Sequence, residues 1–274
     1  MKYFMARAGA LALLGLFLAG AGWAQQSSPS LNQPKPGQAP KGAAQPVISK
    51  DENKAYKAIY DARNGDPMHL VELSEAFVAK YPMSFYIGPV YGILTGSYLQ
   101  TNQIDKMIDA GGKALMADPD NIDVLPIMAW VIPRRVNGNS ADNLAQLQKA
   151  KGYGQHGLEL LMTLEKPPAM DDAAFTKTKN EKSSMCHDGI GVVDVKTNKF
   201  DEAIPELTQA MQLADMPDPV DNYLLGMSDE KTNHFTDAIA NYTKCAASGP
   251  LQTQCKAGLD ETKKKSQNSL EAPQ

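Results

Sequence analysis

Residues 196–204 read KTNKFDEAI and residues 231–239 read KTNHFTDAI. The fragments begin 35 residues apart, and the agreement spreads beyond them: Gly191 matches Gly226, Phe200 matches Phe235, Ala203 matches Ala238 and Ile204 matches Ile239. A third version, QTNQIDKMI, begins at Gln100. Self-similarity at this period marks one supersecondary unit copied along the chain, each copy burying its apolar face only by stacking on the next.

The residue classes fit a unit of two helices and a turn, the unit that repeats of about this period form. With Pro219 as position 1, Leu225 and Gly226 stand at positions 7 and 8, Ala238, Tyr242 and Cys245 at 20, 24 and 27, and Pro250 at 32. Small residues at 8, 20 and 27 let the helices approach, and the ring at 24 fills the space between them. The proline cannot continue a helix and closes the unit. The copy from Ser184 carries Ile190, Gly191, Ala203, Leu207 and Ala210 at equivalent places, and the copy from Gly88 carries Leu94, Tyr98, Ala114 and Pro119. Thr and Asn in the recurring turn suit the end of one helix and the cap of the next. A weaker copy starts at Asp51, with Tyr56, Ala58 and Tyr60 on its first helix and Leu70, Ser74 and Phe77 on its second.

Between Asp120 and Pro168 the period fails. NIDVLPIMAWVIPRR reads as a short helix interrupted by Pro126 and ended by Pro133, followed after an enlarged loop by a longer helix capped by Ser140. Gly111 and Gly112 lie within the second helix of the Gly88 copy and mark it as the softest of the array. The segment from Leu251 reads as a capping helix with a polar outer face, and its closing lysines suit a helix C-terminus.

These features resemble a secreted bacterial tetratricopeptide repeat (TPR) protein, over most of residues 51–265. No copy has Trp at position 4, where Lys54, Tyr91, His187 and Asn222 stand. The expected fold is all-α, a TPR-type helical-hairpin solenoid of about five helix pairs across 51–266 with a C-terminal capping helix, then a disordered tail at 267–274. The resemblance implies a groove lined by positions 2, 5, 9 and 12 of each first helix. These are Val220, Tyr223, Met227 and Glu230 in the last repeat, and Met185, Asp188, Val192 and Val195 in the one before; Pro89, Gly92, Gly96 and Leu99 occupy them in the copy from Gly88. The family's clamp for a terminal carboxylate needs Lys at 5 and Asn at 9, so that ligand is not expected. An apolar to mildly acidic groove suits a hydrophobic or basic segment.

The first 24 residues combine Lys2 and Arg7, an apolar run from Ala8 to about Ala21, and the small-x-small triplet Gly22, Trp23, Ala24, which is the layout of a cleaved signal peptide. Residues 25–50 contain five prolines and no aromatic side chain, the composition of a disordered linker. The whole chain has a formal charge of −4; without Lys2 and Arg7 it is −6, and without Lys35, Lys41 and Lys50 it is −9 from Asp51 on. Nucleic acid rewards clustered Lys and Arg, so an acidic body argues against it. No later segment is apolar enough to span a membrane.

Three cysteines in an exported chain permit one disulfide. Cys245 and Cys255 flank the Gly249-Pro250 turn between neighbouring helices and are the expected pair; three reduced thiols are the alternative. Cys186 beside His187 is not expected to act as nucleophile and base, because adjacent helical positions diverge by about 100°. The four histidines lack metal-site spacing, and no nucleotide, hydrolase or dinucleotide fingerprint appears. No metal or cofactor is expected. The sequence reads as a non-enzymatic periplasmic or secreted scaffold that binds a protein or peptide partner through a concave groove. The alternatives are a cell-envelope assembly component or an accessory subunit of an envelope enzyme. Mass spectrometry of the exported protein is expected to find Gln25 first; retention of residues 1–24 would contradict the signal assignment.

Overall fold

A computed structural model describes residues 31, 36, 48–168, 170–247 and 249–271; the proposed signal peptide and most of the proposed linker lie outside the described residues. Eleven helices are present among them: α1 (Lys50–Ala62), α2 (Pro67–Lys80), α3 (Ile87–Gln100), α4 (Ile104–Ala117), α5 (Leu125–Arg135), α6 (Ala141–Thr163), α7 (Asp172–Lys196), α8 (Phe200–Leu213), α9 (Pro219–Lys231), α10 (Phe235–Ala247) and α11 (Gln252–Glu271). They form five successive pairs, α1/α2 to α9/α10, with α11 laid against α10 and α9 as the cap. The architecture is a TPR-type helical-hairpin solenoid.

The repeated turn is the local device that makes the pairs. Asn102, Asn198 and Asn233 adopt the left-handed conformation, with φ of 56°, 60° and 65°. Each is the second residue past a helix end, and the next residue's N–H, on Gln103, Lys199 or His234, reaches back to the carbonyl of Tyr98, Asp194 or Asp229 at 2.8 Å. This is a Schellman closure, with Asn filling the place where glycine is commonest because its short polar side chain tolerates positive φ. The preceding Thr101, Thr197 and Thr232 donate their hydroxyls to the carbonyls of Ser97, Val193 and Ser228 at 2.9, 2.8 and 3.0 Å. The Asn therefore closes the first helix and does not cap the second; α4 and α8 begin without a side-chain cap.

Elsewhere the helix starts obey ordinary capping chemistry. Asp66 and Asp218 each precede a proline in the first turn and accept from nearby backbone N–H groups, and Ser49, Ser140 and Asp171 cap α1, α6 and α7. Pro126 sits in the first turn of α5, where its missing N–H has no partner to lose, so it starts this helix and does not interrupt it. Pro133 lies inside the last turn of α5, which runs on to Arg135. α11 also exceeds expectation: it continues to Glu271, so residues 267–271 are helical where a disordered tail was expected. The rest of that tail, 272–274, lies outside the described residues.

Two main apolar clusters meet at α7. One extends from Tyr56 through α6 and includes Val193, while the other takes Val192 and Val195 and continues to Leu251 and Cys255. α7 serves both because it packs on α5 and α6 with one face and on α8 and α9 with the others. The tightest approach is at Gly189, where an added Cβ would lie 2.3 Å from the carbonyl oxygen of Ala129. Pro133 has no N–H to offer that carbonyl, so the same peptide group is freed on α5 and pressed by α7. At Gly226 a Cβ would meet the Tyr242 ring at 2.8 Å, the contact that positions 8 and 24 imply. Gly111 and Gly112 divide: the first accommodates Met128 Sδ, and the second faces open space.

Gly189→Ala must displace backbone and is expected to lower stability by about 1–3 kcal/mol, whereas Gly112→Ala should raise it by about 0.5–1 kcal/mol. Urea unfolding of both variants checks this, and equal effects would contradict the packing described.

Candidate functional site

The eight groove positions fall into two sets. Asp188, Val192, Val195, Met227 and Glu230 are buried, while Met185, Val220 and Tyr223 remain partly exposed. Burial has a direct cause: α7 packs on α5 and α9, and α9 packs on α7 and α11, so successive first helices cover one another's inner positions. Val192, Val195 and Met227 belong to the second apolar cluster, and Val220 and Tyr223 pack against its edge. The Tyr223 ring lies 6.1 Å from that of Tyr242. Glu230 accepts from Tyr242 Oη at 3.2 Å and Thr262 Oγ1 at 3.1 Å, and pairs with Lys265. Its carboxylate fastens the cap helix to the last repeat. The disulfide between Cys245 and Cys255, with Cα atoms 5.8 Å apart, adds a covalent link between α10 and α11.

Asp188 belongs to a buried polar cluster that sequence reading does not assemble. Its Oδ2 accepts from Trp130 Nε1 at 2.7 Å and from Arg134 at 2.6 Å, both from α5. Arg134 also lies 3.5 Å from Asp218, the N-cap of α9, and Asp221 stands one turn further on. One oxygen from each of Asp188, Asp218 and Asp221 can be chosen so that all three lie within 4.8 Å of one another. Burial opposes the guanidinium charge, yet Asp188, Asp218 and Asp221 hold the Arg134 pKa above its usual value. Burial, reinforced by Asp188 and Asp218, pushes the Asp221 carboxyl well above the carboxylate range, and burial raises Asp188 against the pull of Arg134. Asp188 Oδ1 and Asp221 Oδ1 are enclosed without a hydrogen-bond donor.

Cys186 and His187 diverge as helical geometry requires. The thiol is buried and its pKa is pushed up to about 12 by that burial, which removes it from thiolate chemistry near neutral pH. His187 Nδ1 instead hydrogen-bonds to Glu206 on α8 at 2.7 Å.

Two surface features lie outside the groove positions. A cavity of about 620 Å³ opens between α4 and α6, with Leu115, Leu125 and Tyr153 among its apolar walls, Lys113 and Lys149 among its polar ones, and Met116 86 % exposed beside them. The other is a small apolar seat formed by Ile122, Leu161, Cys186 and Leu164, where α5 begins, α6 ends and α7 passes. Leu31 packs into that seat, and its backbone N–H donates to Asp123 Oδ1 at 3.1 Å. Asp123 is held in turn by Lys182 Nζ at 3.0 Å. Sequence alone could not join residues 92 positions apart.

No family model and no curated protein matches the chain. Solved structures similar to it include a thermophilic TPR protein of Thermus thermophilus, at 14% identity over 77% of this chain and 98% of that one, with a TM-score of 0.44. PilW, a type IV pilus biogenesis factor, is 12% identical over 83% of this chain and 97% of its own, with a TM-score of 0.47. An assembly chaperone of RpL4 is 10% identical over 80% of this chain and 98% of its own, with a TM-score of 0.49.

Because the folded Asp221 carboxyl has a raised pKa, folding takes up a proton there. Its contribution to stability is complete below the unfolded value of about 3.9 and is lost as pH rises through the higher folded value. Asp221→Asn is expected to flatten the decline in urea midpoint above pH 4 in metal-free buffer; an unchanged profile would show that Asp221 is ionised throughout.

Proposed function

We propose that this chain is an exported, non-enzymatic adaptor of the cell envelope that recruits a protein partner by holding an extended segment against its helix array. The observation that carries the reading is the seat of Leu31, which combines an apolar recess with a carboxylate that takes a backbone N–H. That combination is how a folded surface holds a short chain segment: the main-chain hydrogen bond sets direction and the recess selects the side chain. Lys182 keeps Asp123 aimed while neutralising it. The helix-pair framework supports the reading, since a stack of rigid hairpins offers a long surface for a partner. Met185, Val220 and Tyr223 leave part of the inner face open for a separate contact. Cys186 and His187, the adjacent thiol and imidazole, have the environments of packed residues, which favours binding over catalysis.

In this reading the segment containing Leu31 occupies the seat until a partner's segment replaces it. A tethered ligand competes at an effective concentration of about millimolar, so a partner needs either higher affinity or further contacts. The test uses a labelled peptide of residues 26–37 and a chain with residues 25–44 deleted. The peptide should bind the deleted chain, bind the full mature chain much less, and lose affinity about tenfold on Leu31→Ala. Equal binding to both chains, or indifference to Leu31→Ala, would remove the basis of the proposal.

A further inference from the structure

We propose that Asp188, Asp218 and Asp221 form a binding site for a hard divalent cation, with Ca²⁺ the best-matched ion. The three carboxylates come from α7, from the cap of α9 and from its first turn, and each can offer an oxygen within 4.8 Å of the others. Oxygens around Ca²⁺ lie about 2.3–2.6 Å from it, so ligands of one ion can be separated by this much. No histidine or thiol is among the donors, which excludes the softer nitrogen and sulfur coordination of zinc sites.

Charge and hydrogen bonding argue independently for an occupant. An ion that displaced the proton held at Asp221 would meet three ionised carboxylates, of whose charges Arg134 offsets one, leaving the two that match one divalent ion. Asp188 and Asp221 are 5 % and 3 % exposed, each encloses an Oδ1 that no N–H or O–H of the protein reaches, and the two carboxyls stand close enough to share a proton in the place an ion would take. Arg134 and Trp130 both take the other oxygen of Asp188, which fixes the carboxylate plane and leaves Oδ1 as its free side. A carboxylate oxygen has two acceptor sites, so Asp218 can cap Val220 N–H and still contribute a ligand. Asp218 is 11 % exposed at its side chain and supplies the mouth through which water would enter to complete the coordination. An ion there would bind pair four to pair five and, through Arg134, to pair three.

The experiment uses the mature chain and Tb³⁺, a Ca²⁺ surrogate excited through Trp130, whose indole N–H contacts the ligand Asp188. Saturable Tb³⁺ emission at about one ion per chain is expected, with Ca²⁺ in excess reducing it at least tenfold. Asp221→Asn and Asp218→Asn should each abolish it. In a thermal melt Ca²⁺ should raise the Tm of the unmodified chain by several degrees and leave Asp221→Asn unmoved. Trp130→Phe should lose the emission but keep the Ca²⁺-induced Tm shift. Absence of both signals in the unmodified chain would mean that Asp188 and Asp221 share a proton and bind no metal, overturning the proposal. Emission that survives Asp221→Asn in a chain of normal far-UV circular dichroism would overturn it equally.

Discussion

The backbone contact between Gly189 of α7 and the Ala129 carbonyl of α5 is the constraint on which the middle of the array depends. It brings α7 close enough to α5 to bury Asp188 beneath Trp130 and Arg134, and it places Val193 in one apolar cluster while Val192 and Val195 enter the other. A solenoid is a chain of neighbour contacts, so its cooperativity across the array rests on the weakest junction. Here the helix that interrupts the repeat period is also bridged directly to the next pair, by α5 and α6 both packing on α7. The irregular pair is thereby tied into the regular ones.

Around that junction the pairs are joined by charged groups as well as by packing. Lys182 reaches Asp123, Lys151 reaches Asp194 at 2.5 Å, and Arg134 reaches Asp188. Lys196, its pKa lowered by burial and by Arg134, donates to the Val136 carbonyl. Replacing such pairs with apolar side chains is often neutral or stabilising, so their presence is poor evidence for stability. What they do specify is alignment, since each bond is made only when α6 or α7 sits at one height against its neighbours. In the aspartate cluster three acids face the single guanidinium of Arg134.

The period and the residue classes made the pairing legible from sequence, since a turn with Thr-Asn and a small residue at position 8 report local geometry directly. Gly226 against Tyr242 is such a case, and so is the junction of Cys245 with Cys255 across a short turn. The role of Asn in the turn was legible only in part: its placement was evident, while its left-handed φ and the Schellman bonds depend on the direction in which the chain leaves the helix. Pro133 shows how a local signal misleads, because a proline near a helix end is tolerated where the carbonyl it strands meets another backbone. The inner face was the least legible part. Whether position 5 or 9 is open depends on how far each pair rotates over the next, and nothing in one repeat encodes that rotation.

In the proposed reading, closing of the inner positions moves recognition to the Leu31 seat. Five of the eight positions implied by repeat number are used to hold pairs together, and the Leu31 seat lies where three helices end or pass, beside the ion pair of Asp123 and Lys182. Such an edge has advantages that a buried inner face lacks: a carboxylate held in place by Lys182 can meet a backbone N–H, and a recess formed by side chains of α6, α7 and the loop before α5 can accept a side chain without separating the pairs. The same rigidity extends to the far end, where Glu230 and the disulfide fix α11 onto α9 and α10. With both the junction and the cap locked, a partner segment would have to fit the array as it stands, and selectivity would come from the shape of the seat more than from rearrangement of the helices.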